Sequence, residues 1–153
     1  MISQKLFSTL LVLALVLIVL QLVSGVWIFI EKFGVLPSEV FTFFAGDEEN
    51  FIPPKSIEGL AETAVPHFLA ISTTLFAYGH FLLFTDLISE KKKKFLILTL
   101  FVTSSVDIFS PLGMIHGYEV FAWLKVLAFW SFEILMALLL YILSLFALQG
   151  SRA

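Results

Sequence analysis

The sequence has no cysteine and little charge for its length. With no Cys among 153 residues, disulfides, thiolate metal sites and a cysteine nucleophile are excluded. Lys and Arg number 9 against 12 Asp and Glu, a formal net charge of −3, so the chain offers no basic surface for nucleic acid. The Gly-rich phosphate loop, the nucleophile elbow and the zincin helix of soluble enzymes are also missing. We therefore expect an accessory, non-catalytic role rather than independent catalysis.

Apolar residues are abundant instead. They make up 59% of the chain, with 18 Phe, and the mean hydropathy is +1.02. A soluble domain of this length could not bury so much apolar surface. Four segments reach the roughly 20 residues that a spanning helix needs: 6–30, 66–88, 95–115 and 121–148. The sequence predicts an all-α integral membrane protein, an antiparallel four-transmembrane-helix bundle that forms a single membrane domain over residues 1–153.

Charge in the loops predicts how the bundle is threaded. The basic run at 90–94, EKKKK, lies between the second and third spans and should face the cytoplasm by the positive-inside rule. Both termini are then cytoplasmic, in agreement with Lys5 and Arg152, and we expect a multi-pass protein of a bacterial-type inner membrane. The acidic loop 31–65 lies outside. Its stretch 37–46 begins with Pro-Ser-Glu and ends with Gly, which predicts a short interfacial helix.

A second helix is expected later in the same loop. Ser56 suits an N-cap for a helix through Glu58 and Glu62. Pro66 removes one backbone donor and is expected to kink that helix where it enters the bilayer.

Polar side chains inside the spans fall into two layers when depth is counted at about 1.5 Å per residue. The outer layer holds His67, His116, Glu119 and Lys125, with Glu58 and Glu62 above it. The inner layer holds His80, Asp107, Glu133 and Gln21. Ionisable groups at such depths are costly unless the bundle shields them, so we expect them to face inward. The structural alternative for Asp107 is an ion pair with Lys125 on the next helix.

The first functional hypothesis is a small subunit of a respiratory-type complex that carries haem b between helices. His67 and His116 lie on different helices near the outer surface, and iron accepts two axial imidazoles within apolar walls. His80 is a further candidate ligand on the same helix as His67. Three His in total exclude two bis-histidine haems.

Three other hypotheses stay open. A quinone pocket or proton path would use His80, Asp107 and Glu133, with Gln21 beside them. A metal-binding or small transport protein would use His67, His116, Glu62 and Glu119 near the outer surface. A purely structural subunit would use none of these residues. In each case we expect contact with the lipid bilayer and partner subunits of a membrane complex, and no nucleic acid.

Overall fold

The computed structural model describes residues 4–150, and within that range the chain forms five α-helices. They are α1 (Gln4–Phe33), α2 (Pro37–Ala45), α3 (Ile57–Leu83), α4 (Glu90–Met114) and α5 (Val120–Gly150). All but α2 are long and apolar enough to cross a membrane. The predicted four-span helical bundle with a short extra helix is therefore confirmed. Arg152 and the side chain of Lys5 lie outside the described part of the chain.

The helix of the second span begins earlier in the chain than the sequence suggests. Helix α3 begins at Ile57, runs through Pro66 without a break and ends at Leu83 rather than at residue 88. The predicted cap is confirmed, because Ser56 Oγ accepts a hydrogen bond of 3.1 Å from the Gly59 backbone N–H. The expected loop helix and the second span are thus one helix. A proline costs a helix one hydrogen bond, and here the helix continues on both sides of it.

The lysine run is helical and does not form the expected loop. Helix α4 begins at Glu90, so the four lysines occupy its first turns. The side chain of Lys93 is only 2% exposed, and its Nζ donates to Glu90 Oε1 at 2.7 Å and to the Leu83 carbonyl at 3.3 Å. Lys93 therefore caps the C-terminal end of α3, where the carbonyls lack helical partners.

The short helix α2 is held at both ends by local bonds. Glu39 Oε2 accepts hydrogen bonds of 2.9 Å from the backbone N–H groups of Val35 and Leu36. Gly46 ends the helix with φ +84, a conformation that favours glycine. Val40 and Phe44 are buried in the part of the core near the ends of α1 and α4 and the start of α5, so α2 closes one end of the bundle.

Helix α5 is the centre of the bundle, because it packs against all four other helices. Helix α1 lies against α5 and α2 and buries a single stripe. That stripe contains Leu11, Leu15, Ile18 and Phe29. Tyr78 Oη donates to the Ala14 carbonyl at 3.0 Å and so joins α3 to α1. The remaining surface of α1 and α3 is largely exposed and apolar, as lipid contact requires.

Candidate functional site

A buried ion pair joins α4 to α5 at the end of the bundle that α2 closes. Lys125 is only 6% exposed. Its Nζ donates to Asp107 Oδ1 at 2.7 Å and to the Asp107 backbone carbonyl at 3.0 Å. The two bonds hold the Lys125 ammonium group against the turn of α4 that contains Asp107. A charged group in this position is tolerated because its partner carries the opposite charge and lies within hydrogen-bond distance.

Three phenylalanines surround the same ammonium group. Lys125 Nζ lies 6.0 Å from the ring centroid of Phe29, 5.6 Å from that of Phe33 and 5.8 Å from that of Phe44. Helices α1 and α2 supply these rings, and the Phe29 ring stacks on Phe129 of α5 at 3.9 Å between centroids. Aromatic faces attract a cation, so four helices contribute to the site around Lys125.

Glu133 lies on α5 two turns beyond Lys125, about 12 Å further along the helix axis. It is half-buried and interacts electrostatically with Asp107. Its Oε1 would lie 3.5 Å from a Cβ built on Gly25 of α1, so the carboxyl group sits directly against the α1 backbone. In residues 4–150 the ion pairs are Lys125–Asp107 and Lys93–Glu90. Within that range Glu133 therefore has no cationic partner.

A groove of about 580 Å³ runs between α1 and α5, with Glu133 at one end. This α1–α5 groove extends along α5 from Glu133 through Tyr141 to Ser144, and along α1 from Val26 to Leu15. Ser144 Oγ is occupied by a 2.7 Å bond to the Tyr141 carbonyl. The groove is open on one side and mostly apolar, with one carboxyl group at its end.

The three histidines lie on the surface of the bundle. His67 Nδ1 is 2.9 Å from the Thr63 carbonyl and His116 Nδ1 is 2.7 Å from the Leu112 carbonyl, each four residues back in the chain. Because a carbonyl can only accept, each Nδ1 must carry the proton, which leaves Nε2 as the ring acceptor. All three rings are exposed, although the depth argument expected them inside.

His80 is held by its own helix. Its ring stacks on Phe76 at 6.2 Å between centroids and meets the edge of Phe84 at 5.1 Å. Helix α3 buries Tyr78, Gly79 and Leu82, and His80 points away from that stripe. In the described part of the chain the structure therefore does not bring His80 to Glu133.

The remaining predicted residues lie on the surface of the bundle. Gln21 is exposed, because it lies beside the α1 stripe that faces α5 and not on it. Glu62 and Glu119 are exposed as well. Among the described residues no group of three or more His, Asp or Glu could hold a metal ion, so His67, His116, Glu62 and Glu119 are not assembled into such a group.

The structure corrects the separation into two layers. Lys125 was expected in the outer layer and Asp107 in the inner one, yet they are in direct contact. The long lysine side chain spans the difference in depth, and a count of helical rise ignores side-chain reach. The pair itself agrees with the structural alternative for Asp107. Lys125 is central to the site, and although the sequence placed it in the outer layer, none of the functional hypotheses used it.

Comparison with known families accounts for most of the chain. A family model described as a transmembrane helical domain, Aq_1264_TM, matches residues 34–153. The chain belongs to this family of transmembrane helical domains. No curated protein and no solved structure matches it. Together with the four long apolar helices, membership makes it a multi-pass membrane protein in contact with the lipid bilayer.

The family match includes the centre of the candidate site. Asp107, Lys125 and Glu133 all lie within residues 34–153. Gly25 and the other α1 residues that form one wall of the groove precede the matched range. The ion pair and the carboxyl group therefore belong to the family domain, whereas α1 completes the groove from outside it.

Proposed function

We propose that the chain is a small membrane subunit that handles protons, and that Glu133 is the group that takes up and releases the proton. The observation that carries this proposal is a half-buried carboxyl group inside a span, with no cationic partner among the described residues. Asp107 is already neutralised by Lys125 at 2.7 Å. The three groups therefore sum to −1 when Glu133 is ionised and to zero when it carries a proton. Intramembrane ionisable groups often mark proton routes.

The Lys125–Asp107 pair has a supporting part in this proposal. It holds α4 against α5 through the 2.7 Å contact between Lys125 Nζ and Asp107 Oδ1. Because this pair stays formed, Glu133 can bind or release a proton without disrupting the contact between α4 and α5. The apolar wall of the α1–α5 groove limits water near Glu133, so charge on that group has large local effects.

Infrared difference spectroscopy of the purified protein tests the assignment. A pH step should produce a carbonyl band of a protonated carboxylic acid in wild type, and Glu133→Gln should remove it. Glu31→Gln is the matched control, because Glu31 is exposed at the end of α1 and its loss should leave the band unchanged. A band that survives in Glu133→Gln would reject Glu133 as the proton-carrying group.

One observation supports a second candidate, electron handling through haem b. The Nδ1 bonds of His67 and His116 to backbone carbonyls orient each ring and free Nε2, which is how protein carbonyls commonly support metal-ligating histidines. Because both rings are exposed, a partner subunit of a respiratory-type complex would complete such a site. Quinone is the redox partner that would join this haem to proton uptake at Glu133.

An absorption spectrum of protein purified with its native membrane partners tests the haem candidate. Haem would show a Soret band and an alpha band on reduction. His67→Ala and His116→Ala should each abolish them, and His80→Ala should leave them unchanged. Colourless protein, or bands that survive in both outer variants, would reject it.

The proposal also includes an orientation, with both termini in the cytoplasm of an inner membrane. The support is the position of Lys91, Lys92 and Lys94, which are exposed on the first turns of α4, under the positive-inside rule. The absence of native cysteine permits single-cysteine labelling. A cysteine replacing Lys92 should be shielded from a membrane-impermeant thiol reagent in intact cells, and one replacing Glu49 should react. The reverse pattern would invert the topology.

A further inference from the structure

The α1–α5 groove combines one acidic group with a long apolar wall. Glu133 lies at one end beside Gly25, and the groove continues past Leu22 to Leu15 over a volume of about 580 Å³. Gly25 matters here because a larger side chain would occupy the space against the Glu133 carboxyl. The polar groups at the other end, Tyr141 and Ser144, carry no charge.

The charge around the groove is unbalanced. The charged group that acts on Glu133 is Asp107 of α4, and Asp107 is itself paired with Lys125 of α5 at 2.7 Å. Along the groove α1 presents Gly25 and apolar side chains. Ionised Glu133 thus leaves one negative charge facing a water-poor space, where an uncompensated charge is expensive.

The shape and the charge of the α1–α5 groove together indicate which class of ligand it can bind. A hydrated metal ion needs several oxygen ligands, and the groove supplies one carboxylate among apolar side chains. A neutral acyl chain fits the apolar wall but leaves the carboxylate charge uncompensated. A monovalent organic cation with a bulky apolar body satisfies both features, because its charge pairs with Glu133 while its body covers the wall toward Leu15.

We infer that the α1–α5 groove binds a hydrophobic monovalent cation that exchanges one-for-one with the proton on Glu133. This inference rests on the proposed proton uptake at Glu133 and names the ligand class that competes with the proton. Cation entry releases one proton and proton uptake releases the cation, so charge balances in each direction. Access is from the bilayer, since the groove lies between two helices on the lipid-facing side of the bundle.

Equilibrium binding of tetraphenylphosphonium to the full chain in lipid nanodiscs tests the inference. We expect saturable binding at one site per chain. One-for-one exchange makes the apparent Kd rise about tenfold for each pH unit below the titration of Glu133. Glu133→Gln should abolish saturable binding, and Glu31→Gln should retain it. Equal binding by Glu133→Gln, or equal binding of neutral triphenylphosphine oxide or a neutral quinone analogue to wild type, would overturn the inference.

A second variant separates this inference from the proposed function. Leu22→Trp narrows the groove without replacing a titrating group, so it should weaken cation binding at least tenfold, while the infrared carboxyl band of Glu133 persists. If wild type shows the carboxyl band but no saturable cation binding, the ligand assignment fails and proton uptake stands. If Glu133→Gln retains the band, the proton assignment fails as well.

Discussion

Replacing Asp107 by alanine should be among the most damaging changes that the bundle can receive. The substitution removes the 2.7 Å bond to Lys125 Nζ and leaves a lysine that is only 6% exposed with the 3.0 Å bond to the residue 107 carbonyl and the surrounding phenylalanine rings. Breaking a buried pair from one side costs about 3–5 kcal/mol, since the remaining charge loses its compensation. The surviving carbonyl bond and cation–π contacts place the expected loss near the lower end of that range.

Removing both charges should cost much less. Lys125→Met keeps most of the side-chain volume and its apolar contacts, so the Asp107→Ala/Lys125→Met double variant should lie within about 1–2 kcal/mol of wild type. The sum of the two single losses would then exceed the double loss by several kcal/mol. That excess measures the coupling between the two side chains.

Reversible unfolding in mixed detergent micelles, followed by circular dichroism, measures these free energies. Glu62→Gln is the control, because Glu62 is exposed and takes part in neither of the ion pairs among the described residues, so its loss should change stability little. The reasoning fails if Asp107→Ala costs no more than Glu62→Gln. It also fails if the two single losses add up to the double loss, since the pair would then be uncoupled.

Three further predictions concern packing and pH. Gly113→Ala should lower the free energy of unfolding by about 1–3 kcal/mol in the same assay, because a Cβ there would overlap the Phe121 ring. Gly79→Ala is the control: its Cβ would meet only ordinary contacts at 3.8 Å, so it should be neutral or slightly stabilising. Tyr78→Phe should lose about 0.5–1.5 kcal/mol, because it removes the 3.0 Å bond between α3 and α1; an unchanged stability would show that this bond adds nothing. The hydrogen bond that the Asn50 side chain donates to Asp47 lowers the pKa of Asp47 below its ordinary 3.8, so the stabilisation of this turn is complete above that value and is lost as pH falls through the folded pKa. The protection factors of the turn amides, corrected for the intrinsic pH dependence of exchange, should fall in acid, and Asp47→Asn should make them insensitive to this titration.

Much of the architecture follows from local rules that a sequence displays. The four spans are predictable because a bilayer requires about 20 apolar residues in a helix that satisfies its own backbone. The Ser56 cap and the Gly46 stop are also local, since each depends on bonds within one turn. The helical lysine run was missed because positive charge predicts a side of the membrane and not a backbone conformation.

The candidate site could be predicted from the sequence only in part. The sequence placed Asp107, Lys125 and Glu133 in the correct spans. The direction in which each side chain points could not be predicted, because it depends on which neighbouring helix packs against that face. His80 and Gln21 lie one position away from buried stripes and are exposed, although their depths match those of the inward-facing carboxyl groups.

The sequence by itself determined the membrane class, the number of spans and the short helix α2, because hydropathy, length and end-capping act over neighbouring residues. The tertiary structure decided that α5 is central, that Lys125 pairs with Asp107 inside a ring of phenylalanines, and that Glu133 faces a groove against Gly25. These features depend on the rotation of each helix about its axis. That rotation is set by the packing of all the helices together and not by any one segment.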